Sequence, residues 1–361
     1  MEAPFHRAQA DAGKLTHACP EPVESARRRL GSLIGMMVGD ALAMPVHWYY
    51  DTTALRRDYG VIEDYCAPRN PHPDSILWRS SYPAQNRGAD ILHDQAQFWG
   101  QRGIHYHQFL RPGENTLNLQ LCGELVESLH DRRGYDEADY LRRYIAFMTE
   151  PGRHRDTYVE ECHRGFFSNL ADGKRPDRCG VTEKHIGGLP FVAPTTVWYA
   201  GDPKTAESQA LAQLALTHPG PVMAEAGRVV VRLLLAVLSG IPLIDALRAA
   251  IDSQASPYLS HPFQRLITHE DHEVIGPRFS PACYVQDALP AVIFLALKYH
   301  DRPREGLVAN TMLGGDNAHR GAVLGALLGA EHGEEAFPAR WRHNLIARDK
   351  LLASMEHEQH A

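Results

Sequence analysis

Two short polar runs carry the side chains best suited to chemistry. The first is Gly113-Glu114-Asn115-Thr116, followed by Asn118, in RPGENTLNLQL. The second is Gly314-Gly315-Asp316-Asn317-Ala318-His319-Arg320 in MLGGDNAHRG. Both read as helix starts. A helix N-terminus leaves N–H groups without partners and carries the positive end of the dipole, which suits a phosphate or carboxylate ligand. One side chain is enough to cap a helix, yet Glu114, Asn115, Thr116 and Asn118 crowd a single turn. Asp316 is placed as an N-cap, so a structural role is open to it. Gly314 and Gly315 let a ligand approach the backbone.

Smaller signals are weaker. Asp40 and His47 fall in GDALAMPVHWYYD. A buried Asp needs partners, so Asp40 is expected to hold a site together rather than react. Trp48 and Tyr49 are expected in the core. Gly187 and Gly188 in KHIGGLP either let a backbone approach a ligand or make a tight turn. His105 and His107 in HYHQF do not make a metal site alone, because such sites need three or four ligands. His218 in LTHPGP ends a helix, where a cation suits the dipole. There is no G-x-S-x-G, Walker loop or Rossmann fingerprint.

Helical patterns must position these groups. PVESARRRLGSLIGMMVGDALAM, TLNLQLCGELVESLHD, PVMAEAGRVVVRLLLAVLSG and SPACYVQDALPAVIFLALKYH all show helical spacing, the last with an internal Pro290 expected to kink it. No run of alternating strands appears. The pattern predicts an all-α single domain of about ten helices over residues 21–350, with a frayed segment at 1–20 and a tail at 351–361. Two helices carry a glycine every four residues: Gly31, Gly35, Gly39 and Gly321, Gly325, Gly329. Such stripes are flat faces that can pack closely. Residues 65–113 lack clean periodicity but are rich in aromatic residues, which predicts an ordered cover over a site.

The chain has 361 residues, 44% hydrophobic and 22% charged, with a formal net charge of -7. No Lys/Arg block stands out, which argues against a nucleic-acid partner. The six cysteines form no C-x-x-C pair, so they read as reduced thiols rather than a disulfide framework or zinc site. The N-terminus has no apolar signal core. The most apolar run, VVVRLLLAVL, is too short to span a bilayer. The expectation is a cytoplasmic protein with no membrane partner.

On these residues the sequence resembles the ADP-ribosylglycohydrolase family, over about Leu30 to Ala330. The resemblance rests on GxxxGxxxGDAL early and GGDxxxRGxxxGAxxGA late, with LTHPGPVMAEAG and HIGGLPFVAP between them. It implies an all-α fold with a long irregular insertion. It also implies cleavage of a glycosidic bond of ADP-ribose, with a nucleotide-like small molecule or an ADP-ribosylated acceptor as partner. The family holds two magnesium ions with a T-D-D-T turn and a G-G-D-x-D-[ST] turn. Here those turns read Gly113-Glu114-Asn115-Thr116 and Asp316-Asn317-Ala318-His319, and His47 replaces an acid that often follows the GDAL motif. The GGDNAxRG form is similar to the crystallin-like branch.

Magnesium prefers hard oxygen ligands. With Glu114, Asn115, Thr116 and Asp316 as the donors, the expectation is one Mg²⁺ ion at most. His319 suits a transition metal better. Glycosidic cleavage needs an acid at the leaving group and a base or nucleophile opposite. The resemblance therefore implies Glu114 and Asp316 as the carboxylate pair and His47 or His319 as proton shuttle. Arg320 would neutralise a diphosphate, with Asn115, Asn118, Gly187, Gly188, Gly314, Gly315 and Asn317 around the substrate. The alternative reading is a catalytically silent relative that binds ligand or serves structurally.

Overall fold

Gly31, Gly35 and Gly39 on α1 (Pro22–Ala43) face glycines of a second helix, Asn317–His332, in the computed structural model, which describes residues 22–356. The pairs are Gly31 with Gly329, Gly35 with Gly325, and Gly39 with Gly321. As one number rises the other falls, so the helices run antiparallel. A Cβ on Gly35 would overlap the carbonyl oxygen of Gly325, and one on Gly325 would overlap that of Gly35. Backbone lies directly on backbone, a separation that no side chain permits.

Five further helices build on this pair: α2 (Leu117–Arg132), α3 (Glu161–Ala171), α4 (Pro221–Leu238), α5 (Val285–Tyr299) and α6 (Pro303–Met312). Asn317–His332 is α7, and it packs on α1, α4, α5 and α6. Every residue from Asn317 to Ala330 is buried. A helix apolar or small on all sides, enclosed by others, is the centre of a core. Its flanks are filled by Leu324, Leu327 and Leu328, and by Ile34, Val38, Phe294 and Leu297 from its neighbours.

The fold is all-α. Among the described residues there are sixteen α-helices, eight 3₁₀ segments and two isolated β-bridges, His185–Tyr284 and Ile275–Phe279. The helices outnumber the ten expected because several are single turns, such as Phe263–Leu266 and Asp271–Val274, too short to show a period. Pro290 sits inside α5 without ending it. The helix Arg348–Glu356 continues past residue 350, where a tail is expected, and Leu351 packs in the core. The segment expected to fray, 1–20, lies outside the described residues.

One helix was underrated by sequence. Val23–Val46 is long and apolar enough to cross a membrane by length and composition, but its most apolar stretch is 89% buried in the protein. Burial of that extent is what the core helix of a folded domain shows.

Residues 65–113 hold only short 3₁₀ turns. They are pinned by single polar contacts: Trp99 Nε1 donates to the Thr157 carbonyl at 2.7 Å, and the rings of His72 and His105 reach the carbonyls of His47 (3.0 Å) and Pro45 (2.9 Å). The segment thus closes on the 3₁₀ turn Met44–Val46 that follows α1. The antiparallel glycine contact has a direct result. It brings the end of α1, with Asp40 and His47, to the start of α7, with Asp316 and His319.

Gly325→Ala tests the backbone contact by its sign. Helix propensity alone favours alanine by about 1 kcal/mol, whereas forced overpacking costs about 1–3 kcal/mol. Chemical denaturation should show Gly325→Ala destabilised. Gly123→Ala on α2, where an added Cβ meets nothing within 4 Å, should be neutral or stabilised.

Candidate functional site

Asp316 occupies the N-cap position of α7, yet its side chain makes no capping hydrogen bond. The carboxylate turns instead to two imidazoles. His47 Nε2 lies 3.0 Å from Oδ1, and His319 Nδ1 lies 2.9 Å from the same oxygen. The other oxygen, Oδ2, is buried without a hydrogen-bond partner. His47 Nδ1 shares a 2.8 Å hydrogen bond with His107 Nε2, and His107 Nδ1 meets Asp156 Oδ1 at 2.5 Å. Asp156 Oδ2 accepts the N–H of Leu117 at 2.9 Å, at the start of α2. A continuous chain, Asp156–His107–His47–Asp316, therefore joins two helix starts. His47 also stacks on Trp48, with centroids 3.7 Å apart.

A second carboxylate approaches from the other side. Glu160 is the residue before α3, and its Oε1 lies 3.8 Å from His319 Nδ1. Asn118 Nδ2 donates to Glu160 Oε2 at 2.7 Å and to the Gly187 carbonyl at 3.1 Å. Asn118 Oδ1 is held by His163 Nε2 at 2.9 Å, and His163 by the Tyr144 hydroxyl at 2.7 Å. A Cβ on Gly187 would stand 2.5 Å from Glu160 Oε2 and 2.8 Å from Asn118 Nδ2. Gly187 is glycine because these polar groups need its space.

The two carboxylates are pushed apart in acidity. Burial raises Glu160 above the usual carboxylate range; the His319 charge opposes this, and repulsion from Asp316 and Glu183 adds to it. Burial would also raise Asp316, but the His319 charge and the hydrogen bonds from His319 and His47 override it and hold Asp316 well below. His319 is itself opposed by burial, yet Asp316 and Glu160 carry it up to about 10. Burial holds His47 down to about 3. The cluster therefore sets a carboxyl group whose burial favours its protonated form beside a carboxylate held ionised, with a cationic and a neutral imidazole between them.

The structure joins His47, Asp316 and His319, with Asn118 and Gly187 around Glu160. It places the other expected residues elsewhere. The Glu114 carboxylate is taken up by Arg155 (2.7 Å) and Arg111 (3.3 Å) at the surface, and none of its contacts reaches the Asp316 cluster. Asn115 Nδ2, the Thr116 hydroxyl and the Thr116 N–H all donate to Asp40, at 2.7–2.8 Å. Asp40 is thus the clamp expected of it, and neither Asn115 nor Thr116 caps α2. Gly188 makes room for the His218 ring, 2.8 Å from where a Cβ would be.

Gly314 and Gly315 accommodate backbone rather than ligand. A Cβ on either would overlap the carbonyl oxygen of Tyr49 or Pro281, and both residues have positive φ. Asn317 Nδ2 donates to the Thr311 carbonyl at 2.8 Å. Arg320 is fully buried and donates to Asn310 Oδ1 (2.8 Å) and the Gly314 carbonyl (2.9 Å), so it locks the loop before α7. Sequence reasoning missed Glu160 and Asp156, and it set His107 aside for want of partner ligands. The signal was present in RDTYVEECH, where Asp156 and Glu160 stand four apart before a Cys-His pair, in a stretch with no helical period.

Groups able to hold a metal are present. His47, Asp316 and His319 bring three ligand atoms within 4.8 Å of one another. The set is two nitrogens and one carboxylate, which suits a transition ion. It does not fit a pair of magnesium ions, which need several hard oxygens, since it offers a single carboxylate and Glu114 is taken up by arginines.

Comparison with known proteins agrees with this architecture. No curated protein matches the chain. A solved structure described as an ADP-ribosylglycohydrolase-related protein complex shares the fold, with a TM-score of 0.63 and 24% identity over 92% of this chain and 97% of that one. The family model for ADP-ribosylglycohydrolase matches residues 10–360. With nearly the whole length matched, the chain belongs to the ADP-ribosylglycohydrolase family.

Proposed function

We propose that the protein is a hydrolase that cleaves a glycosidic bond of ADP-ribose or a related ribosyl nucleotide, with Glu160 and Asp316 as the working carboxylates. One observation carries this reading: two buried carboxylates, bridged by His319, have acidities shifted in opposite directions. Such a split assigns an acid and a base within one site. Glu160, kept neutral, gives its proton to the leaving group as the anomeric bond breaks. Asp316, kept ionised, faces the positive charge that develops on the sugar and orients water. The water proton passes to Asp316, whose Oδ2 has no hydrogen-bond partner, while His47, backed by His107 and Asp156, holds Oδ1 in place. His319 holds the two carboxylates in their different states.

Recognition draws on a different set of groups. Tyr50 and Tyr284 are 45% and 49% exposed. Tyr50 lies in the field of Asp316 and Cys283, and Tyr284 follows Cys283 in the chain. Exposed rings next to a buried polar cluster suit stacking on a base. The near-complete burial of Asp316 and His319 favours the second reading, a silent relative that keeps the fold. Calorimetric titration with ADP-ribose decides between them. Binding that does not require Mg²⁺ is expected; no binding with or without Mg²⁺ would support the silent relative or a substrate without ADP-ribose.

Once a substrate is identified, Glu160→Gln and Asp316→Asn should each lower kcat by about 10²–10⁴-fold, the usual range for a lost acid or base. Glu114→Gln should stay within about threefold of wild type, since its carboxylate serves ion pairs with two partly exposed arginines, which contribute little, and the Arg111 N–H, all away from the Asp316 cluster. Equal losses in Glu114→Gln and Glu160→Gln would return the pair to its sequence-expected form.

The pH profile gives an independent check. Glu160 must be protonated, so activity falls on the alkaline side, above the ordinary carboxylate range. Asp316 must be ionised, and its lowered pKa keeps the acid side flat through the ordinary carboxylate range. Glu160→Gln should abolish the alkaline fall in its residual rate. A profile unchanged in that variant would remove Glu160 as the acid.

A further inference from the structure

Below Glu160 the structure gathers a second set of ligating side chains. Cys162 lies in the first turn of α3, Glu183 in the loop before Gly187, and His218 in the turn between the helix Pro203–Ala215 and α4. Their sulfur, carboxylate oxygen and ring nitrogen all lie within 4.8 Å of one another. All three are buried: Cys162 is 0%, Glu183 8% and His218 1% exposed.

The polar atoms here are poorly satisfied. Both Glu183 oxygens and His218 Nε2 lack an aligned hydrogen-bond partner, although His218 Nε2 and His185 Nδ1 come within 2.8 and 3.1 Å of the carboxylate. Buried carboxylates are rarely left so. The His218 ring is fixed from behind. Its Nδ1 shares a 2.8 Å hydrogen bond with the Thr217 hydroxyl, which directs Nε2 at Glu183. Outer hydrogen bonds of this kind orient a metal-ligating histidine. Gly188 supplies room for the ring, and Gly180 lets the Glu183 loop lie against the turn at Leu216.

We propose that Cys162, Glu183 and His218 bind a divalent transition ion, zinc being the ion that best matches the donors. Sulfur, nitrogen and oxygen together are a zinc-type set, and thiolate disfavours magnesium and calcium. On binding, the Cys162 thiol releases its proton to solvent and a sulfur–metal bond forms. Thiolate and carboxylate then balance the two positive charges of the ion, which avoids the cost of an isolated buried ion. The ligands come from three separate stretches of chain, which is why the cysteine spacing predicts no zinc site. The ion would tie the first turn of α3, immediately after Glu160, to the loop that carries Gly187. Its role is structural positioning, and it is separate from the His47–Asp316–His319 group.

The test uses the full chain after chelator treatment, with Co²⁺ as the optical probe. About one equivalent should bind with a near-ultraviolet thiolate-to-cobalt absorption, and Zn²⁺ should bleach it. Cys162→Ser should lose this band, and Cys283→Ser should keep it. His319→Ala should keep it too, since that cluster holds no sulfur. Zn²⁺ should raise the Tm of wild type and leave that of Cys162→Ser unchanged. If Cys162→Ser does not fold, His218→Ala should weaken Co²⁺ binding at least tenfold. The proposal is overturned if wild type shows no thiolate–cobalt band, or if the band survives in Cys162→Ser or binding is unweakened in His218→Ala.

Discussion

The backbone-to-backbone contact of α1 and α7 is the constraint on which the rest of the structure depends. Six glycines set the separation, and their pairing fixes the register to a single solution. Any slide by one residue would drive a Ser, Ile, Ala or Leu side chain into the opposing backbone. Because the helices are antiparallel, the exit of one and the entry of the other share an end. Asp40, His47, Asp316 and His319 are thereby neighbours, although nearly the whole chain separates them.

At that end, the usual local economy of helix capping is absent. The start of α2 is satisfied by Asp40 and Asp156, from two distant segments. The start of α7 has a residue at the capping position whose side chain makes no capping hydrogen bond. Carboxylates have been exchanged between segments. Each one spent across the fold, as Asp40 is on Thr116 and Asn115, ties elements together. The one released, Asp316, becomes available to two imidazoles. Arg320 completes the arrangement without any carboxylate, since its donors reach Asn310 and a backbone carbonyl. Its charge is opposed by burial, which lowers it to about 10.

The sequence made the helices and the two stripes legible, because period and glycine spacing are local properties that survive folding. It singled out Asp316, His319 and His47 as candidate residues without placing them together; the glycine contact is what makes them neighbours. It failed on Glu114 for a physical reason. Position in a turn does not reveal which way a side chain faces, and Arg155, forty-one residues on, settles that for Glu114. It failed on Glu160 because a residue before a helix, in a stretch without period, carries no signal until Asn118 and Gly187 are placed beside it. The glycines at 187, 314 and 315 were read as space for a ligand. The space is real, but protein atoms fill it.

The same contact governs when the molecule can fold. α1 is made well before α7, with most of the described chain between them. At ordinary rates of synthesis, of about 5–20 residues per second, α1 waits roughly 15–60 s for its partner. During that wait it presents an apolar, glycine-lined face of membrane-like composition with nothing to cover it. A ribosome that stops short of residue 317 produces a chain without a centre. Completion of the core is a long-range event, and the nascent protein is most exposed to aggregation just before α7 emerges.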